Sequence, residues 1–140
     1  MATLEEAVDA LDKGARIRLE QRPARYMFGC LNYGELPHYK NEADGDMWDV
    51  FVPGYDKTLK PGHYDSTEVI GALMLTNGNH KIAIRIAQPG YDARRAREEI
   101  HRYSKRYCAR VRVGGKWTTR LDLLNSSRDG ATFPSVLQEK

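Results

Sequence analysis

A chain of 140 residues, 41% hydrophobic and 29% charged, suits a single domain over residues 1–140 with a core of its own. No apolar run nears the roughly 18 residues a membrane helix needs, and the opening Met-Ala-Thr-Leu-Glu-Glu lacks the basic-then-apolar pattern of a signal peptide. Cys30 and Cys108 form no CxxC pair, so a cytoplasmic protein with reduced thiols and no membrane partner is expected, a single disulfide being the alternative.

The elements read in chain order as follows. Thr3 with Glu6 makes a capping box, Leu4, Val8 and Leu11 an apolar stripe and Gly14 a stop, which predicts a helix over 3–13. Residues 16–20 alternate as a half-buried strand should, and 26–28 offer a second short one. Residues 32–46, with Asn32, Gly34, Pro37, Asn41, Asp44 and Gly45, read as loop. A strand over 48–52 follows, ended by Pro53-Gly54, and Pro61-Gly62 marks another turn. The segments 68–75 and 81–86 flank Thr76-Asn77-Gly78-Asn79 and predict a hairpin. Gly71 within it marks a bulge or a close backbone approach. After Gly90 the period becomes helical over 92–107, with Ala93, Ala96, Ile100, Tyr103 and Tyr107 on one stripe. Residues 110–113 alternate again, and the tail after Asn125 is weakly patterned. The sum is an α+β fold: a small antiparallel β-barrel or curved sheet, with an N-terminal helix and a helix after residue 91.

The net charge of +3 conceals a division along the chain. Residues 42–49 hold four acids and no base, whereas 91–120 hold ten bases against three acids. Acids suit a hard cation and bases suit phosphate, so a metal-bound polyanion would use both. A solvated basic helix beside an acidic loop is the plainer alternative. The sharpest local feature is Asp44-Gly45-Asp46-Met47-Trp48-Asp49. Gly45 permits a tight turn, so Asp44 and Asp46 can approach one point and Asp49 can add a third carboxylate. Oxygen-only ligands favour Mg²⁺, Mn²⁺ or Ca²⁺ over zinc. An EF-hand is excluded, because the sixth position from Asp44 is Asp49 and the twelfth is Tyr55. The four histidines show no zinc spacing, and there is no GxSxG elbow or P-loop.

In order along the chain stand Asn32-Tyr33-Gly34, Asp44-Gly45-Asp46-Met47-Trp48-Asp49-Val50-Phe51-Val52-Pro53, Leu59-Lys60-Pro61-Gly62 and Val69-Ile70-Gly71. This series resembles the soluble Mg-dependent inorganic pyrophosphatase family, which carries N-Y-G, D-G-D-P-x-D-V-L-V-P, L-x-P-G and V-I-G at similar spacing. The likeness covers residues 16–86 well and 103–117 loosely. It implies an OB-like, pyrophosphatase-like barrel that hydrolyses pyrophosphate or a related phosphoanhydride with Mg²⁺, Mn²⁺ being the other candidate. It implies Asp44 and Asp49 as metal ligands, with Asp46 as ligand and as the acid that orients or deprotonates the attacking water. Tyr33 and Glu20 would complete the catalytic set. Lys81, Lys105, Tyr107 and Arg22 would face the substrate, with Tyr103 an alternative to Tyr107 and Arg25 to Arg22.

The departures are equally definite. The family's hairpin turn carries two further aspartates, where this chain has Asn77 and Asn79. The family's K-x-E strand is missing, and Met47 replaces a proline. The second reading is therefore a non-catalytic relative that binds a nucleotide, nucleic acid or protein partner through its basic helix, with a homo-oligomer left open.

Overall fold

In a computed structural model of the protein, residues 1–20, 32–102 and 108–117 are described. The strand expected at 26–28 lies outside them, as do Arg22, Arg25, Cys30, Tyr103, Lys105, Tyr107 and the tail. The elements are α1 (Leu4–Asp12), β1 (Arg16–Glu20), β2 (Tyr33–Lys40), β3 (Met47–Phe51), β4 (Gly62–Met74), β5 (Lys81–Ile86), α2 (Ala93–Arg102), β6 (Cys108–Val113) and β7 (Lys116–Trp117).

Strands β1, β2, β3, β5 and β4 pair in that order, and β1 pairs back onto β4, which closes a five-stranded barrel. Strands β6 and β7 continue outward from β4. This is the expected small α+β barrel with two helices, except that its strands are not all antiparallel. An odd number of strands cannot alternate direction all the way round a closed ring. One parallel pair is unavoidable, and it falls between β3 and β5.

Residues 33–40, expected as loop, are β2. Two residues that normally interrupt strands have local reasons to be there. A Cβ on Gly34 would lie 2.0 Å from the Arg18 carbonyl oxygen, so β1 approaches β2 only because that position is glycine. Pro37 sits in a bulge: Leu36 pairs with Trp48, but the next pair is Lys40 with Met47. Within that bulge His38 has φ +72°, a left-handed conformation that costs a non-glycine residue roughly 1 kcal/mol. Strand β4 also exceeds its expected span. Register shifts between Ser66 and Glu68 and between Val69 and Gly71 bend it, so that it serves β1, β5 and β6 in turn. The expectation for Gly71 is met, since a Cβ there would stand 2.5 Å from the Arg110 carbonyl oxygen.

Helix α1 begins as its capping box dictates. Glu6 N–H donates to Thr3 Oγ1 at 3.1 Å, and Thr3 N–H donates to Glu6 Oε1 at 2.9 Å. Ala7, Val8 and Leu11 enter one apolar cluster with Ile17, Leu19, Leu36, Trp48, Val50, Ile82 and Ile84. Each large aliphatic side chain so buried contributes roughly 1.5–3 kcal/mol before the entropy of ordering it is subtracted. Helix α2 buries Ala96 and Ile100. Among the described residues no helix is long and apolar enough to cross a membrane.

Candidate functional site

Side chains alternate faces along a strand, and directly paired residues share a face. Leu19, Leu36, Trp48, Val50 and Ile82 point into the core cluster. The intervening residues therefore share the other face, where pairing aligns Glu20 with Tyr33, Arg18 with Glu35, Glu35 with Asp49, Met47 with Lys40, and Asp49 with Lys81. The alternation that builds the core thus collects charged groups from four strands on its reverse side. A polar cavity of about 420 Å³ lies there, lined by Glu20, Tyr33, Glu35, Lys40, Asp46 and Asp49, with Gly34, Gly45 and Met47 between them.

Two ion-pair networks organise this pocket. The Arg18 guanidinium bridges Glu20, at 3.1 Å, and Glu35. The Glu35 carboxylate raises the Arg18 pKa above its ordinary value, first by hydrogen bonding and then by charge. Asp49 is engaged at both oxygens: Tyr33 Oη–H donates to Oδ1 at 2.5 Å, and Lys81 donates to Oδ2. Among the described residues two charged groups of the pocket have no such partner. The Asp46 carboxylate and the Lys40 ammonium make no hydrogen bond or ion pair.

The acidic loop is held by Asn41, which is buried. Its N–H donates to the Asp46 carbonyl at 2.7 Å, and its carbonyl accepts from Gly45 N–H at 2.8 Å. Its Oδ1 accepts from Ala43 N–H at 2.9 Å, while its Nδ2 donates to the Gly78 carbonyl at 3.0 Å. That last bond joins the acidic loop to the Asn77–Asn79 turn, and a Cβ on Gly78 would lie only 3.1 Å from Ala43 Cβ. Asp44 serves this local order. Its Oδ1 accepts from Asp46 N–H at 3.0 Å, and it does not line the pocket.

Of the residues expected in the site, Asp46, Asp49, Tyr33 and Glu20 meet at one pocket, and Lys81 contacts it through Asp49. Asp44 stands apart, and Arg22, Lys105 and Tyr107 lie outside the described residues. Three carboxylates converging on one point, as the Asp44-Asp46-Asp49 spacing suggested, are not found: among the described residues no three His, Cys, Asp or Glu side chains are grouped closely enough to hold a metal ion. The turn separates Asp44 from the other two because its carboxylate caps a backbone N–H instead. Sequence reasoning missed Lys40, Glu35, Arg18 and Asn41. Of these, only Arg18 carried a usable signal, since it alternates with Ile17 and Leu19 on a strand that the sequence predicts.

A larger pocket, of about 590 Å³, lies between the 54–59 loop and the start of α2. Several of its polar groups serve the fold. Asp92 Oδ1 caps Arg95 N–H at 3.2 Å, Arg95 pairs with Glu99 at 3.6 Å, and Tyr55 Oη–H donates to the Gln88 carbonyl at 3.0 Å. Comparison with protein-family models, with curated proteins and with solved structures gives no match to this chain.

Proposed function

We propose that the pocket beside Asp46 and Asp49 hydrolyses a phosphoanhydride, pyrophosphate being the simplest, presented as its Mg²⁺ or Mn²⁺ complex, and that the barrel is pyrophosphatase-like and OB-like. The observation that carries this reading is the Asp46 carboxylate, which lines the pocket and makes no hydrogen bond or ion pair with the described residues, next to an Asp49 fixed by Tyr33 and Lys81.

The donor set fits a divalent ion that arrives with its substrate. Magnesium keeps several waters and is usually held by one or two carboxylates plus phosphate oxygens, so a three-acid cage is not required. Asp46 and Asp49 would hold it. A divalent cation there supplies neutralisation of phosphate charge and lowers the pKa of a water it binds.

The chain's own groups supply the rest. Asp46, through the carboxylate oxygen left free of the cation, takes a proton from the water whose oxygen bonds to one phosphorus. The bridging oxygen departs with the second phosphate, so that water and pyrophosphate give two phosphates. Tyr33 and Lys81 hold Asp49 in one orientation from two sides, and Arg18 restrains Glu20 at the pocket wall.

The alternative, partner or nucleic-acid binding through the basic helix, has less support. Arg94 pairs with Glu98 at 3.2 Å and Arg95 with Glu99 at 3.6 Å, which neutralises part of the α2 surface. Phosphate release from pyrophosphate with Mg²⁺, compared between the protein and Asp49→Ala, separates the readings. Release that the substitution abolishes upholds hydrolysis. Equal release by both, or none by either, removes it, and DNA binding that weakens steeply with salt would then favour the alternative.

A further inference from the structure

The second unpartnered charge of the pocket has a distinct piece of backbone behind it. In an uninterrupted ladder Pro37 would oppose Met47, because Leu36 opposes Trp48; instead Lys40 does. The bulge that makes this exchange contains His38 in its left-handed conformation. Beyond it the chain is pinned again, since the Lys40 carbonyl accepts from Ala2 N–H at 2.8 Å and Ala2 bridges Asn41. Lys40 is thereby placed across from Met47, on the strand face that carries Asp49 and Glu35.

The charges make that placement consequential. Four carboxylates line the pocket, and Arg18 and Lys81 are both occupied by them. A polyanion entering such a wall is repelled unless cations receive it; beside the divalent ion it brings, the cation that the described lining residues leave free is Lys40. A compact ammonium with three donors suits a phosphate group, whose oxygens accept from several directions.

We propose that Lys40 is a substrate-binding residue, its ammonium taking a phosphate group of the phosphoanhydride and so selecting that ligand over a bare cation. This rests on reading the pocket as a phosphoanhydride site. Local backbone strain held next to a functional side chain fits such a role.

The test uses the full chain with pyrophosphate and excess Mg²⁺, measuring steady-state turnover and, separately, pyrophosphate binding by calorimetry. The proteins are the unaltered chain, Lys40→Ala, Lys40→Arg, and Lys60→Ala as a surface control outside the pocket. Lys40→Ala should raise KM by about tenfold, with a smaller fall in kcat, and Lys40→Arg should recover part of the loss because its charge is kept. An unchanged KM in Lys40→Ala, with turnover intact, overturns the role of Lys40 and leaves hydrolysis standing. If the unaltered chain shows no turnover, hydrolysis falls, and binding alone decides Lys40. Weaker pyrophosphate binding by Lys40→Ala then upholds it, whereas equal binding, or none by either protein, overturns it.

Discussion

Lys81 on β5 donates its ammonium to Asp49 on the neighbouring parallel strand, in a pair whose side chains are only 10% and 16% exposed. The one parallel seam that an odd-stranded barrel must contain is therefore also where a carboxylate of the site is fixed. An ion pair this enclosed costs desolvation energy on both sides, and losing one partner leaves the other charge buried and uncompensated. Lys81→Met should destabilise the protein by about 3 kcal/mol, and the double replacement Lys81→Met with Asp49→Leu by distinctly less. Urea unfolding of these two variants and of Asp49→Leu alone checks this, and additive losses would show that the two charges are not coupled.

Asn41 joins the acidic loop to the Asn77–Asn79 turn through its own side chain. Asn41→Ala leaves Gly78 O and Ala43 N–H without these partners, at a cost of about 2 kcal/mol. The loss should extend to the site, because Asp46 N–H and C=O are both set within the same loop. Phosphate release should fall further than the unfolded fraction accounts for, as measured at a temperature where the variant remains folded.

His38→Gly should stabilise the protein by roughly 0.5–1 kcal/mol, because glycine adopts φ +72° without the Cβ clash and the exposed imidazole contributes little packing. Thermal unfolding reads the change. A loss of stability would mean that the imidazole holds the bulge in some other way.

His80 stacks on Trp48 at 6.2 Å between ring centroids, and its Nδ1 accepts from Leu75 N–H at 3.0 Å. Burial, followed by the charges of Arg110 and Lys81, lowers its pKa from the ordinary 6.5, against a small opposing effect from Glu5. As pH falls below 6.5 the unfolded chain takes up this proton first, so the contribution of His80 to stability is present above that pH and is lost on the acid side. His80→Gln should flatten this arm of the stability profile relative to the unaltered chain, as measured by urea midpoints from pH 7.5 downward, a range of roughly two units. Parallel profiles would exclude the effect.

Elements whose signals are local were readable from sequence. Thr3 and Glu6 announce α1, the alternation of residues 81–86 announces β5, and Gly71 announces the close approach that Arg110 makes. Strand β2 was hidden because Gly34 and Pro37 read as interruptions, whereas one admits the backbone of Arg18 and the other occupies a bulge. The site was legible to the same degree. Asp46, Asp49, Tyr33 and Glu20 lie in recognisable strings, but the spacing of Asp44 from Asp46 carries no record of which side chain turns inward to cap a backbone N–H. Lys40 and Asn41 belong to no motif, and their importance arises from contacts with Ala2, Asp46 and Gly78 that only folding creates.

The central claim is that Asp46, which has no ion-pair partner among the described residues, takes the proton of the attacking water. Its most direct test is orthophosphate release from pyrophosphate by the unaltered chain, with Mg²⁺ and with chelator, beside Asp46→Asn, whose exposed position keeps the fold intact. The account predicts release that chelation stops and that Asp46→Asn lowers by about two orders of magnitude or more. Release by Asp46→Asn at the rate of the unaltered chain would contradict it.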